Sequence, residues 1–156
     1  MDSGLSQVHP ERTRVAAELD AAHDRAHAAY TERDSEAYIA TFHPALAYTQ
    51  LDGRTIGYEQ LARDIRDQLA RVDSATSDYR RESLEIPAHG TATETLEQRA
   101  TFAVRALGFL RREWLLTRRG RSEWVRTDGN WQIRRVTVLS EVVTGRLSIG
   151  RVRRTA

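Results

Sequence analysis

His23 and His27 stand four residues apart in a stretch of helical periodicity. That spacing puts two imidazoles on one helix face, as a metal site requires, and a third ligand such as Glu94 or His43 would have to come from elsewhere. The plainer alternative is a pair of surface histidines, and no metal is expected. Tyr30 lies on the same flank of the helix as His23. A histidine in that position can act as general base, because imidazole is the side chain that ordinarily titrates near neutrality. Farther along, Glu94 and Gln98 share one strand face with Ala92, Leu96, Ala100 and Phe102. If that face is inside, both polar groups need partners, and a buried carboxylate with a raised pKa is a common acid–base device. If the face with Thr95, Glu97 and Arg99 is inside, or if Glu94 sits at a wet rim, that role disappears. Sequence leaves both arrangements open.

Several elements must position these groups. Val15, Leu19, Ala22, Ala26, Ala29 and Arg33 recur at helical spacing from Pro10 onward, a narrow stripe whose small residues let a helix lie close to a sheet. Asp34 or Ser35 can cap a short second helix carrying Tyr38, Ile39 and Phe42, ended by His43-Pro44. Residues 46–51 alternate as a strand up to Asp52-Gly53. A third helix follows Gly57, with Leu61, Ile65, Leu69 and Val72 in phase. Strands are expected at Tyr79 to Ile86, Thr91 to Leu107 and Phe109 to Arg118, the last turned by Gly120.

The sharpest local signal is Ser122 to Ser140. Asp128-Gly129 between two runs of strand formers predicts a type I′ hairpin. A two-residue loop sets Trp124 against Ile133, Arg126 against Trp131, Val125 against Gln132 and Glu123 against Arg134, with Arg126 able to lie over an indole. Trp131 and Ile133 would then face oppositely to Val136 and Val138, unless a β-bulge near Arg134-Arg135 resets the register and bends the sheet. Segregated helices followed by a meander give an α+β fold with helices packed on one face of a strongly curved antiparallel sheet.

The 156 residues suit one domain. Absence of cysteine excludes disulfide frameworks, zinc–cysteine sites and thiol nucleophiles. No apolar leader or membrane span is visible, so a soluble cytoplasmic protein is expected. All 24 basic residues are arginine, which lowers the weight of any one of them, and the net charge is only +2. The arginines that crowd positions 111–135 can form an anion-binding patch, although Glu113 and Glu123 can pair with some of them. Phosphate loops, nucleophile elbows and helix-turn-helix patterns are missing. No nucleic-acid partner, membrane contact or cofactor is expected.

The run Tyr30-Thr-Glu-Arg-Asp34, then Tyr38 to Phe42, Ala47-Tyr-Thr above Asp52-Gly53-Arg54, Tyr58 to Leu61, and the ending Trp124 to Ile133 resemble the nuclear transport factor 2-like superfamily. Within it they are most similar to the bacterial polyketide-cyclase (SnoaL-like) branch. The resemblance covers roughly residues 11–144, leaving 1–10 as a flexible N-terminus and 145–156 as a basic tail. It implies a cone-shaped sheet with three helices on its concave face, an apolar pocket, and a homodimer formed through the sheet. Where steroid-isomerase-like members need a tyrosine and an aspartate, this chain has Ala26 and Gln50. Where epoxide-hydrolase-like members need Arg-x-Asp, it has Arg99-Ala100-Thr101. Cyclase-like members use an acid near the end of the last strand, which makes Glu141 a candidate. On this basis His23, Tyr30, Glu94 and Glu141 are the candidate catalytic residues. Tyr48, Gln50, Gln98, Phe102 and Trp131 are the candidate substrate contacts. The expected function is a pocket for a small apolar molecule, with cofactor-independent cyclase, isomerase or dehydratase chemistry. The alternative is a non-catalytic binding or dimeric assembly module.

Overall fold

The computed structural model describes residues 5–107 and 110–149. Residues 1–4, Phe109 at the head of an expected strand, and positions 150–156 of the basic tail lie outside the described residues. Helix α1 spans Leu5–Glu32, α2 Ser35–Ile39 and α3 Tyr58–Arg71. The strands are β1 (Phe42–Thr49), β2 (Thr55–Gly57), β3 (Ser74–Glu85), β4 (Thr91–Leu107), β5 (Leu110–Thr127) and β6 (Asn130–Ile149). They form one six-stranded sheet in the order β2-β1-β6-β5-β4-β3. The fold is α+β and cone-like, with an open sheet.

The sheet is mixed, because β1 runs parallel to β6 while every other neighbouring pair is antiparallel. The four long strands β3–β6 are antiparallel as expected, and among the described residues the β1–β6 pair is the one parallel departure. The cause is topological: β1 precedes β6 by a whole meander and returns to its edge as a crossover, not as a hairpin. His43-Pro44 falls inside β1 and does not end α2. Pro44 brings no N–H to the ladder, and the β1–β6 register jumps there, from Phe42↔Ile133 to Ala47↔Arg135.

The stripe of α1 is buried as its spacing implies, with Val15, Leu19, Ala22, Ala26 and Ala29 all in the core. Arg33 ends the helix at φ 57° and donates from Nη1 to Val72 O at 2.9 Å. Asp34 caps α2, its side chain accepting from Ala37 N at 3.0 Å. Helical backbone reaches back beyond Pro10 to Leu5, and β6 continues past Gly145 to Ile149. Both elements therefore extend through the boundaries expected at 10 and 145. Pro10 is the sixth residue of that helix, so it brings no N–H to the Ser6 carbonyl.

The hairpin forms with Trp124↔Ile133, Val125↔Gln132 and Arg126↔Trp131 in register. Asp128 and Gly129 both have positive φ, 51° and 80°. One residue on, the ladder shifts: Glu123 pairs with Arg135, leaving Arg134 as the bulged residue. The expected Glu123–Arg134 pair is thus Glu123–Arg135, at 3.7 Å. The bulge puts Trp131, Ile133, Val136 and Val138 all inside. A second shift, between Arg119 and Gly120, extrudes Leu139. Gly120 is therefore a bend within an 18-residue β5, not a turn between two strands. Arg126 does not stack on an indole but reaches Glu18 at 3.7 Å, and the cation lying over an indole is Arg112, 5.6 Å from the Trp114 ring centre.

A Cβ at Gly129 would meet no atom within 4 Å, so alanine there probes backbone conformation alone. Gly129→Ala is expected to destabilise the fold by about 1–2 kcal/mol, the cost of left-handed backbone for a residue with a Cβ. Urea denaturation measures it, and an unchanged midpoint would refute the type I′ assignment.

Candidate active site

Two adjoining spaces open between the helices and the concave face of the sheet. The outer one is a cavity of about 590 Å3 bordered by α2, α3, β1 and the middle of β4–β6. The inner one, about 90 Å3, lies against α1. Tyr38, Phe42, Tyr48, Gln98 and Arg118 line both and form their shared wall.

His23 lines the inner chamber. The small-residue stripe holds α1 against the sheet closely enough for the His23 ring to reach β4. Its Nε2 is 2.5 Å from Glu94 Oε1. Glu94 has no exposed surface. Its Oε1 also accepts from Trp124 Nε1 at 2.8 Å, and its Oε2 accepts from Arg81 Nε at 2.9 Å. Arg81 Nη1 in turn meets Asp20 Oδ1 at 2.8 Å, and the Tyr79 hydroxyl donates to the same oxygen at 3.0 Å. The His23 ring packs 4.1 Å from Tyr79 and edge-on to Trp124. The partners of Glu94 thus come from α1, β3 and β5. Arg81 Nη2 is buried and lacks a partner among the described residues.

The face of β4 carrying Glu94 is therefore the inner one. Glu97 on the other face pairs outward with Arg80 and Arg99. The expected upward shift of a buried carboxylate is overturned here. Burial does push the Glu94 carboxyl up, but the hydrogen bonds from His23 and Arg81, the Arg81 charge and, whenever the ring is protonated, the His23 charge outweigh it and hold it below the ordinary value of 4.5. An ionised Glu94 accepts only, so His23 Nε2 carries the hydrogen. Nδ1 of His23 then has no partner among the described residues. The cluster holds two carboxylates and one guanidinium, so a second proton on His23 would bring it to neutrality.

His27 also borders the chamber, with Nδ1 2.5 Å from Ser77 O. A carbonyl only accepts, so this nitrogen is the donor. Both histidines thus spend a nitrogen on the protein, and among the described residues no group of three His, Asp or Glu side chains is arranged around a metal position.

On the shared wall, Arg118 of β5 pairs with Glu141 of β6. The two are direct cross-strand partners, with Nε to Oε2 at 2.7 Å. Arg118 Nη1 donates to the Tyr48 hydroxyl at 2.8 Å. The guanidinium stays charged: burial works against it, and Tyr48 and Glu141 more than offset that. Burial pushes the Tyr38 hydroxyl up to about 12, with Tyr48 and Tyr30 adding to the rise and Arg118 opposing it. Tyr30 and Tyr48 are likewise raised by burial against the pull of Arg118. The tyrosines on this wall are neutral hydroxyls.

Of the residues singled out from sequence, Tyr30, Tyr48, Gln50, Gln98, Phe102 and Glu141 line the outer cavity. His23 lines the inner chamber, and Glu94 stands behind it. Tyr30 is not joined to His23; its ring packs 5.5 Å from Tyr38. Trp131 lines neither space. It sits beside the hairpin turn, two residues along β6 from Ile133 of the inner chamber, with Nε1 donating to Glu18 Oε2 at 2.6 Å. Sequence reasoning missed Arg81, Asp20 and Tyr79, and held Arg118 only as one of the arginines of a candidate anion-binding patch. The alternation on β5 that puts Leu116 and Arg118 on one face was the signal available for Arg118. A surplus of arginine hid it.

No known family profile matches the sequence, and no curated protein sequence does either. Solved structures do match. A hexachlorocyclohexane dehydrochlorinase (LinA, type 2) superposes with a TM-score of 0.70 at 11% identity, over 95% of this chain and 99% of that one. A scytalone dehydratase-like protein of Novosphingobium aromaticivorans gives 0.73 at 9% identity, over 94% and 99%. This is the nuclear transport factor 2-like fold. A third structure with the same nuclear transport factor 2-like fold, Aln2 of a Streptomyces species, gives 0.63 at 18% identity, over 80% and 89%. At such identities the likeness establishes architecture and leaves the reaction to the residues of the site.

Proposed function

We propose that this chain is a cofactor-independent acid–base enzyme acting on a small, largely apolar molecule held in the outer cavity and reaching into the inner chamber at His23. The observation that carries the proposal is the buried His23–Glu94 pair at the wall of a chamber that adjoins an open cavity. Glu94 fixes the ring and its tautomer, so Nδ1 is the nitrogen that takes a proton from substrate. The imidazolium that forms is compensated by Glu94, already ionised, and needs no solvent rearrangement. Returning the proton elsewhere on the substrate gives isomerisation, and losing a leaving group gives elimination. An attack by the carbanion on a carbonyl gives cyclisation. Tyr30, Tyr48 and Gln98 supply neutral hydrogen bonds that orient the substrate, Gln50 and Phe102 shape the cavity, and Glu141 acts as counterion to Arg118. Two structural neighbours carry the names dehydrochlorinase and dehydratase, and a base beside an apolar pocket suits such losses. The setting we propose is cytoplasmic. No helix among the described residues is long and apolar enough to cross a membrane.

Proton transfer can be read before the substrate is known. Incubated in deuterium oxide with a panel of aryl ketones, the protein should accelerate deuterium uptake at an acidic C–H of at least one of them. Uptake at the buffer rate across the panel would sink the enzyme proposal.

A binding or assembly module on the same fold is the second reading, and one observation favours it. Leu115, Leu139 and Val142 are 45%, 43% and 60% exposed on β5–β6. Leu115 and Val142 lie on the outer face, since Leu116, Arg118, Glu141 and Val143 line the cavity. We propose that this face joins two copies of the chain. Light scattering at micromolar concentration should give about twice 17.8 kDa, and Val142→Asp should halve it. A monomeric mass for the parent protein would end the dimer proposal.

A further inference from the structure

The arginines of the sheet mostly point outward and meet surface acids. Arg119 pairs with Glu82, Arg135 with Glu123 and Arg146 with Glu113. Arg118 does the opposite. Among the described residues it is the sole arginine lining either space, and it lines both. Its Nε is spent on Glu141 and its Nη1 on Tyr48. Its Nη2 has no partner among the described residues and, unlike Arg81 Nη2, is not sealed in the core. A charged donor with a free N–H pair thus stands where the His23 chamber meets the outer cavity.

We propose that Arg118 is an oxyanion-binding residue, and that the substrate carries an oxygen which gains negative charge at Arg118 Nη2. A guanidinium in a partly dry site favours a developing oxyanion more than a neutral oxygen, and it is already oriented before the charge appears. Glu141 neutralises Arg118 in the resting protein, and Asp52 and Asp64 also border the cavity. A substrate that enters already charged is therefore disfavoured. The matching class is a neutral carbonyl compound with a flat apolar body, which becomes an enolate when its acidic C–H loses a proton. Tyr30, Tyr38, Phe42 and Phe102 supply the apolar walls for that body. Tyr48, held by Arg118 Nη1, is placed to donate a second hydrogen bond to the same oxygen. The inference deepens the acid–base proposal and rests on it for the enolate. The oxyanion preference is a binding property and can be measured without turnover.

The probe is 4-nitrophenol, whose phenol and phenolate forms differ in colour. Titrating the bound probe gives the ratio of phenolate to phenol affinity. Arg118→Gln should lower that ratio by about tenfold, one unit in the probe's bound pKa. Arg118→Leu combined with Glu141→Leu should lower it as much. The double change removes both charges together, so the net charge is kept and a buried pair is replaced by apolar groups that cores accept. It decides the matter if the single variant fails to fold. His23→Gln should leave the ratio within about twofold, which separates this site from the proton-transfer group. An unchanged ratio in the folded arginine variants overturns the proposal, as does failure of the parent protein to bind the probe at millimolar concentration. If the ratio falls as expected while no ketone exchanges deuterium, the oxyanion site stands and the acid–base proposal fails.

Discussion

Glu94→Ala should cost about 3 kcal/mol or more of folding stability, a large share of what a domain this size possesses. The carboxylate is fully buried and accepts from His23, Trp124 and Arg81 at once. Removing it leaves the indole N–H and the imidazole N–H facing an alanine, each without an acceptor. It also halves the compensation of a guanidinium whose Nη2 is already unpartnered. Asp20 still pairs with Arg81, which keeps the loss near the lower end of the range of about 3–5 kcal/mol for broken buried pairs. Urea denaturation at neutral pH measures it, and a loss under about 1 kcal/mol would show that the cluster is not a structural tie. The same group sets an acid dependence. Its folded pKa lies below the ordinary 4.5, so the unfolded chain binds the proton first as pH drops. The contribution is therefore complete above pH 4.5 and is lost below it, as pH falls through the folded value. In Glu94→Ala that part of the acid sensitivity should vanish.

His23→Gln is expected to lower the deuterium-exchange rate by about 10²–10⁴-fold, the usual worth of a positioned general base. Glutamine keeps a side-chain N–H that can still donate to Glu94 but has no lone-pair nitrogen to take a proton. Stability should change far less than in Glu94→Ala, and that contrast separates a chemical loss from a structural one. Glu94→Gln should lower the rate through His23 alone, by removing the charge that compensates the imidazolium. The double variant His23→Gln with Glu94→Gln should then be no slower than His23→Gln by itself. A rate in His23→Gln within about threefold of the parent, with the fold intact, would remove His23 from the mechanism.

Local chemistry made much of this legible in advance. Asp128-Gly129 fixed the hairpin register, and the clash of faces between Ile133 and Val136 announced the bulge at Arg134. The small-residue stripe of α1 placed His23 beside the sheet. The alternation on β4 put Glu94 and Gln98 on one face, though not which face was inside. What failed to show were relations without a local trace. Arg81 and Asp20 lie far apart in sequence and meet only because α1 crosses β3. Arg118 looked like one arginine among many until β5 was seen to run unbroken through Gly120. Trp131 shares the inward face of Ile133, but the chamber ends at Ile133 and Trp131 is covered by Glu18 of α1 instead.

The ties of α1 to the sheet have a bearing on the order in which the chain can assemble. His23 finds its acceptor 71 residues downstream, and Glu18 meets Trp131 113 residues downstream. A ribosome supplies residues from the N-terminus, so α1 emerges first, and its apolar stripe and titratable side chains must wait for the strands that will cover them. Strands β3 to β6, by contrast, are joined in sequence and can pair as neighbours as soon as they emerge. Among the described residues the helix that carries the proposed base closes some of the longest loops, and the site exists only once β6 is in place.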